Sequence, residues 1–516
     1  MTVVIITFLK LDDGGRGCLF AAQDSPARIG RPKANTGYIW PLTKRETVRN
    51  QWNSWLQDLR MIRSRGSFAR NATVTLTGAV VSTLSQIVLT PTITRLYGPE
   101  AYGVYGLFLA ISSNMAILAT GSYTLAFILP VREDHFRELF RGTLLLLLFV
   151  VSICMLVVPF RDSFYALVPG WSILGPWAML LPLAILLQGL SLMFGQACGR
   201  YKAFTVNSTF NAGFNVVVRI FNVLFGWISS GAIFGLILGE VVVRGAMLGV
   251  FVKPLRNAGI GSTLHLRKPL RALGMLRQYR SYPRYVLPTS SLGMLFVQLP
   301  IFFLATYHTP SALGQYAMAT ALLMIPLRLF SYSLTTIFMQ KATETLRIDR
   351  EKLPLITGRL FDRLLILGLL PFAALIVFGD HIFSTVLGAE WLRAGIFSSM
   401  LGTYFFFRLL AEPMISLYSI LGRERRLFGF QLASVLLGSV GLYVGIYVLH
   451  DVNTAILLFG ISGSAMFAYL GARILHASGV SWFPRTTRAI VLLALVCGLS
   501  VLLRSVLFGN YFMDYS

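Results

Sequence analysis

Long apolar runs separated by short basic connections dominate this chain, and that alternation leaves few folds open to it. A run of about 20 apolar residues spans the hydrocarbon core as a helix, because each residue adds about 1.5 Å. Inside lipid, backbone amides and carbonyls must bond within the segment or within a closed barrel. The runs here are too continuous for the apolar–polar alternation of barrel strands. The expected fold is therefore all-α, a polytopic bundle of membrane helices. Spans are read at Arg70–Thr94, Gly103–Leu129, Gly142–Phe160, Trp171–Gly195, Asn207–Ile228 and Gly231–Val252. A second set follows at Tyr285–Thr306, Gly314–Met339, Leu360–Gly379, Ala394–Ile420, Phe428–Leu449 and Thr454–Leu475. A thirteenth run, Ala489–Phe508, reads as an extra C-terminal helix.

Only 13% of residues are charged, against about 25% in soluble domains, yet the net charge is +24. Placement resolves the contrast. Beyond Met61 the connections rich in Lys and Arg alternate with connections that hold only Arg95, Arg161 and Arg393. Basic residues collect on cytoplasmic loops, where anionic lipid attracts them. The alternation predicts a multi-pass protein of the cell inner membrane with a cytoplasmic N-terminus, its basic loops meeting membrane lipids. No nucleic acid partner is needed to explain the charge. Cys18, Cys154, Cys198 and Cys497 are scattered without metal-ligand or disulfide spacing, and neither a metal nor a cofactor is expected.

These patterns divide the chain into a disordered or misassigned N-terminal extension (1–65), a six-helix lobe (66–252), a connector (253–284), a second six-helix lobe (285–477), and a C-terminal helix and tail (478–516). The connector Lys253–Arg284 carries eight Lys/Arg and no acid. Its Leu270, Leu273, Leu276 and Tyr279 recur at helical spacing between Arg271, Arg277 and Arg280, the pattern of an amphipathic helix on a membrane surface.

The two sets of spans also match each other. Pro99-Glu100-Ala101-Tyr102-Gly103-Val104-Tyr105 reappears as Pro310-Ser311-Ala312-Leu313-Gly314-Gln315-Tyr316, each between the first and second spans of its set. Gly199-Arg200-Tyr201-Lys202 similarly answers to Gly422-Arg423-Glu424-Arg425 after the fourth span. Six spans is an even number, so both repeats enter the membrane in the same sense. Such parallel repeats are related by an axis along the membrane normal, with the substrate path between them.

At this point the chain resembles the Wzx-type polysaccharide flippases of the MOP (multidrug/oligosaccharidyl-lipid/polysaccharide) exporter superfamily. The resemblance rests on Leu89-Thr90-Pro91-Thr92-Ile93-Thr94-Arg95-Leu96-Tyr97-Gly98-Pro99-Glu100-Ala101-Tyr102-Gly103, on Tyr279-Arg280-Ser281-Tyr282-Pro283-Arg284-Tyr285 with Pro288, on Gly388-Ala389-Glu390-Trp391, and on Gly422-Arg423. It covers roughly Met61 to His476. It implies twelve or fourteen helices and export of a polyprenyl-pyrophosphate-linked oligosaccharide, with other polysaccharide-assembly proteins as partners. A thirteenth helix departs from that pattern.

Ionisable residues within spans cost about 2.5–3.5 kcal/mol each on insertion scales and face a cavity or a partner. In the fifth span Asn207, Asn211, Asn215 and Arg219 recur every four residues, with Asn222 three further on, which puts five polar groups on one helix face. That face either lines a wet path or bonds neighbouring helices. Glu240 with Arg244 and Arg408 with Glu412 are opposite charges one turn apart. Each pair either neutralises itself or offers its arginine to an anionic headgroup and its glutamate to a coupling ion. Arg408 and Glu412 align with Ile185 and Gly189 of the first repeat, so the scaffold itself does not require them. Arg328 has no acidic neighbour in its span, and Arg504 is expected to snorkel to the interface. Arginine suits phosphate because its planar fork makes paired, charge-assisted hydrogen bonds. The expected substrate-binding set is thus Asn207, Asn211, Asn215, Arg219, Asn222, Arg244, Arg328 and Arg408, with Glu240 and Glu412 for ion coupling.

Competing classes fare less well. A membrane polysaccharide polymerase or ligase needs a large outer loop with catalytic groups, and no outer connection supplies one. An exporter with its own ATPase needs a G-x-x-x-x-G-K phosphate loop, and the sequence has none. A cation-coupled multidrug antiporter of the same superfamily is the nearest rival, but cationic drugs call for an acidic cavity and these groups are mostly basic.

Overall fold

The computed structural model describes residues 68–508, apart from positions 168, 202–203, 230, 258–268, 308 and 422. The extension read over 1–65 and the middle of the connector lie outside the described residues. Every predicted span is a helix. In the first half these are α1 Phe68–Leu96, α2 Pro99–Thr120, α3 Glu133–Val157, α4 Leu181–Arg200, α5 Phe204–Ile228 and α6 Phe234–Arg256. The second half holds α7 Tyr282–Tyr307, α8 Pro310–Phe330, α9 Leu353–Leu387, α10 Leu392–Ala411, α11 Arg425–Val448 and α12 Val452–Ala477, and α13 Trp482–Phe508 follows. The helices from α2 onward are long and apolar enough to cross a membrane. α1 matches them in length but carries more hydroxyl residues.

Packing repeats from one half to the other. α1 lies on α5 as α7 lies on α11, α2 on α4 as α8 on α10, α3 on α4 as α9 on α10, and α4 on α6 as α10 on α12. The matched motifs sit where the halves meet. α2 and α8 touch backbone to backbone: a Cβ on Gly103 would lie 1.9 Å from the Pro310 carbonyl oxygen, and one on Gly314 would lie 1.8 Å from that of Pro99. The contact is reciprocal, as expected for equivalent residues meeting across a two-fold axis.

This contact lies at the arginine-poor end of the bundle, and other residues of the two halves close round it. Trp391, 1% exposed, donates its indole N–H to the Thr94 carbonyl (3.3 Å), and the Thr94 hydroxyl reaches the Leu387 carbonyl (3.3 Å). Tyr102 stands edge-on to the Trp391 ring at 5.4 Å. Gln315 donates to the Glu390 carbonyl (2.6 Å) and accepts from the Ala394 amide (2.8 Å). The Tyr102–Gly103 and Gly388–Trp391 signatures, distant in sequence, form one seal.

Local chemistry explains where the helices depart from the predicted spans. α2 ends at Thr120 rather than Leu129, because Gly121 and Ser122 take left-handed φ values of 57° and 54° and Tyr123–Ile128 tightens into a 3₁₀ turn. Arg200 holds that turn at the arginine-rich end. Its guanidinium donates to the carbonyls of Phe127 (3.2 Å) and Pro130 (2.6 Å) and pairs with Glu133 (2.9 Å). The connector helix Pro269–Gln278 packs on α3. Its inward face is Ala272, Met275 and Leu276 with Tyr279, whereas Leu273 is exposed, so the apolar stripe is rotated from the one expected.

The thirteenth helix is held by ions rather than by snorkelling. Arg504 makes a two-pronged pair with Asp380 of α9 (2.9 and 2.6 Å), and Arg485 approaches Asp362 of the same helix at 3.6 Å. Early meets early and late meets late along the two chains, so α13 runs parallel to α9 and ends on the arginine-poor side.

Two outcomes test this frame. Gly314→Ala must part the α2–α8 backbones, so a cysteine placed at Thr94 should react faster with a membrane-impermeant maleimide; unchanged labelling would mean the glycine contact does not close this end. Asp380→Ala strands a buried guanidinium and should cost about 3–5 kcal/mol, seen as a lower Tm in detergent, with most of the loss recovered in Asp380→Leu/Arg504→Leu.

Candidate functional site: a polar cavity between the halves

Below the closed end, toward the arginine-rich side, a cavity of about 280 Å³ opens between the halves. α2 contributes Ser113, α4 Gln188, Ser191 and Gln196, α5 Asn207 and Asn211, α6 Arg244, and α7 of the second half Met294. Gly195 lets α4 and α5 approach, since a Cβ there would stand 2.7 Å from Asn207 Oδ1. The wall mixes hydroxyls, neutral amides and one guanidinium with the apolar side chains of Ile117, Leu192, Phe210 and Met294, so it can donate to and accept from a hydroxylated ligand and also pack against its apolar faces. Gln188 is set by a bond to Ser112 Oγ (2.9 Å). Among the described residues no three His, Cys, Asp or Glu side chains converge to hold a metal.

The asparagine stripe turns out to bond to itself. The Asn211 amide donates to the Asn207 carbonyl (2.9 Å), Asn215 to that of Asn211 (2.7 Å), and Arg219 to that of Asn215 (2.6 Å). Four-residue spacing puts each side chain beside the carbonyl one turn back, so the helix satisfies these donors itself, and the Asn211 amide also reaches Asn207 Oδ1 (3.2 Å). Asn207 and Asn211 line the cavity. Asn222 does not: it is buried against α6, where a Cβ on Gly239 would lie 2.2 Å from its Oδ1, and its carbonyl accepts from Tyr97 Oη (2.9 Å).

The charged residues divide into two kinds. Arg408, 8% exposed, grips Glu412 at 2.8 and 3.3 Å and donates to Tyr404 Oη at 3.2 Å inside the second half. That is the self-neutralised pair, and neither residue lines this cavity. Arg244 likewise bonds Glu240 (3.0 Å), whose other oxygen accepts from Tyr105 (3.4 Å). Unlike Arg408, it also lies on the cavity wall, packed over the Phe214 ring at 4.1 Å. A π-helical turn, Gly239–Val243, carries Glu240, and such turns gather at functional sites.

Arg219 and Arg328 are the second kind. They come from opposite halves and lie within electrostatic reach of each other, with Tyr102 and Tyr105 as the other groups acting on Arg219. Arg328 sits in a second π turn, Leu327–Ser331, immediately after Pro326, whose missing amide and ring clash disturb the α ladder. It donates to Gln86 Oε1 at 2.9 Å. Two guanidinia that act on each other across the halves are groups to which a multiply charged anion can bind.

Sequence reading missed Ser113, Gln188, Ser191, Gln196 and, on α7, Gln298. A signal was present in Ser112-Ser113-Asn114, three consecutive polar residues in the middle of an apolar run. The Arg408 geometry gives a test. Arg408→Ala should lower Tm by leaving the half-buried Glu412 without its partner, and Arg408→Met/Glu412→Leu should restore it; an unchanged Tm in the single variant would show the pair to be idle.

With this geometry in place, the chain can be set beside known proteins. A family model described as polysaccharide biosynthesis protein matches residues 92–395. An inward-facing multidrug resistance MATE family transporter of the MOP superfamily superimposes with a TM-score of 0.62 at 13% identity, covering 79% of this chain and 98% of that one. Lipid II flippase MurJ in an inward closed conformation gives 0.61 at 12% identity over 85% and 99% of the two chains. A variant of the Vibrio cholerae MATE transporter VcmN gives 0.53 at 14% over 79% and 95%. No curated protein matches the sequence. The fold is that of these membrane transporters.

Proposed function

We propose, since this chain belongs to the polysaccharide biosynthesis protein family, that it carries a polyprenyl-pyrophosphate-linked oligosaccharide across the cell inner membrane by alternating access. The headgroup enters from the arginine-rich side, which the charge bias makes cytoplasmic along with the N-terminus. The observation that carries this reading is a cavity bearing hydroxyls, amides and the Arg244 guanidinium, together with two further arginines from opposite halves that act on each other electrostatically. Sugar hydroxyls bond Ser113, Gln188, Asn207 and Asn211. The pyrophosphate takes Arg219 and Arg328, with Arg244 at the cavity wall. The polyprenyl tail stays in the bilayer. Glu240 is the better coupling group, because its partner Arg244 reaches the cavity, whereas Glu412 pairs with Arg408, which does not line it. No bond is made or broken in this cycle, and other polysaccharide-assembly proteins supply and consume the substrate.

The likeness to a multidrug transporter keeps one second reading in play, a cation-coupled drug antiporter. Against it, no acid lines the cavity among the described residues, and Glu240, bonded to its wall residue Arg244, is covered by that arginine and a tyrosine. Reconstitution into vesicles separates the two. Labelled lipid-linked oligosaccharide should cross faster with the protein than without it, and Arg219→Ala should slow transfer at least tenfold at equal protein level. Cationic dye transport with no oligosaccharide transfer would replace this reading by the antiporter.

A further inference from the structure

Two glutamines occupy neighbouring places in the repeats, one residue apart in register. Gln86 lies in α1 and Gln298 in α7, each roughly three to four turns before the shared proline that starts the next helix. Each reaches across the seam to the second helix of the opposite half, using both ends of its amide. Gln86 donates to the Ala321 carbonyl of α8 (3.2 Å) and accepts from Arg328 (2.9 Å). Gln298 donates to Ser113 Oγ of α2 (3.1 Å) and accepts from the Asn114 amide. An amide in lipid must keep a partner, so each glutamine ties its two halves together for as long as that seam stays shut.

We infer that Gln86 and Gln298 are a pair of clasps, one on each seam, that hold the halves in this state, and that the substrate releases them by taking over their partners. This rests on the proposed function above. The partners are the groups assigned to the headgroup: Ser113 lines the sugar cavity, and Arg328 is half of the cationic pair. A hydroxyl bonding Ser113 competes with Gln298, and a phosphate drawing Arg328 competes with Gln86. A ligand shifts a conformational equilibrium only by its differential affinity for the two states, and exchange at the clasps supplies that difference. The two chemistries of one substrate address one clasp each, so a free sugar or a free phosphate frees only one seam. Gln86 and Gln298 are therefore positioning residues, acting through Arg328 and Ser113.

The full chain in lipid nanodiscs tests this, with spin labels on cysteines replacing Arg95 and Arg393, one in each half at the arginine-poor end. Gln86→Met and Gln298→Met keep side-chain bulk and remove the bonds. Each should raise the share of long inter-half distances about threefold, the usual worth of a polar contact between membrane helices, and the double variant about tenfold. Tyr316→Phe removes a bond within one half, from Tyr316 Oη to the Val297 carbonyl (3.1 Å), and should leave the distances unchanged. A polyprenyl-pyrophosphate-linked oligosaccharide should lengthen the distances in the parent and add little in the double variant. If both glutamine variants match the parent, the clasps are ordinary packing and the inference falls. If they shift the distances but the parent ignores the oligosaccharide, the clasps stand as holders of this state, while their release by substrate and the transport reading both fail.

Discussion

The contact on which the rest of this structure depends is the meeting of two backbones at Gly103 and Gly314. A helix pair approaches this closely only where both faces lack a Cβ, and in lipid close approach is itself the main attraction between helices. Because the contact is reciprocal, it fixes the relation of the two halves in one stroke. α7 comes to lie beside α2, and α1 beside α8 and α9. One end is sealed by Trp391 and Thr94, and the space that the diverging halves leave lies toward the other end. Cavity, seams and seal are all consequences of where two hydrogen atoms replace two methyl groups.

Charge inside the bundle is handled in two ways, and the difference separates support from function. Arg408 with Glu412, and Arg504 with Asp380, are neutralised by carboxylates at hydrogen-bonding distance. Breaking such pairs is costly, but their presence asks for no ligand. Arg219 spends its one described bond on a carbonyl of its own helix and feels another arginine across the seam. An insertion cost accepted without a carboxylate in return indicates a group kept for something that comes and goes. Arg244 stands between the two kinds, bonded to Glu240 yet open to the cavity.

The sequence carried the spans, the repeat and the face of α5 clearly, because each is a period and periods survive without coordinates. The asparagine stripe was legible as a face. Its internal ladder was not, since four-residue spacing suits a ligand wall and back-bonding to carbonyls equally. Single amides such as Gln188 and Gln298 were lost in apolar runs, where hydropathy reads them only as weak spots. Asp380 fell one residue beyond a span read to Gly379, so Arg504 had no visible partner and was assigned to the interface. The connector was legible only in part: it is helical, and Leu276 and Tyr279 turn inward, but Gly142 of α3, where a Cβ would touch the Ala272 carbonyl at 2.9 Å, offers a protein surface that Ala272 and Met275 fill and Leu273 does not.

A symmetric frame with an unsymmetric lining is also what the proposed cargo requires. Polar groups on α2, α4, α5 and α6 build the cavity wall from the first half, while the second half adds Met294 and buries its own charged pair in aromatic packing. Rocking of two similar halves needs matched seams, which the glycines and glutamines supply. Recognition of a headgroup with sugar at one end and phosphate at the other needs the opposite, since identical walls would bind both ends alike. The reciprocal glycines that set how the halves meet stay paired, whereas the polar wall of the first half and the Arg408–Glu412 pair of the second differ between the repeats.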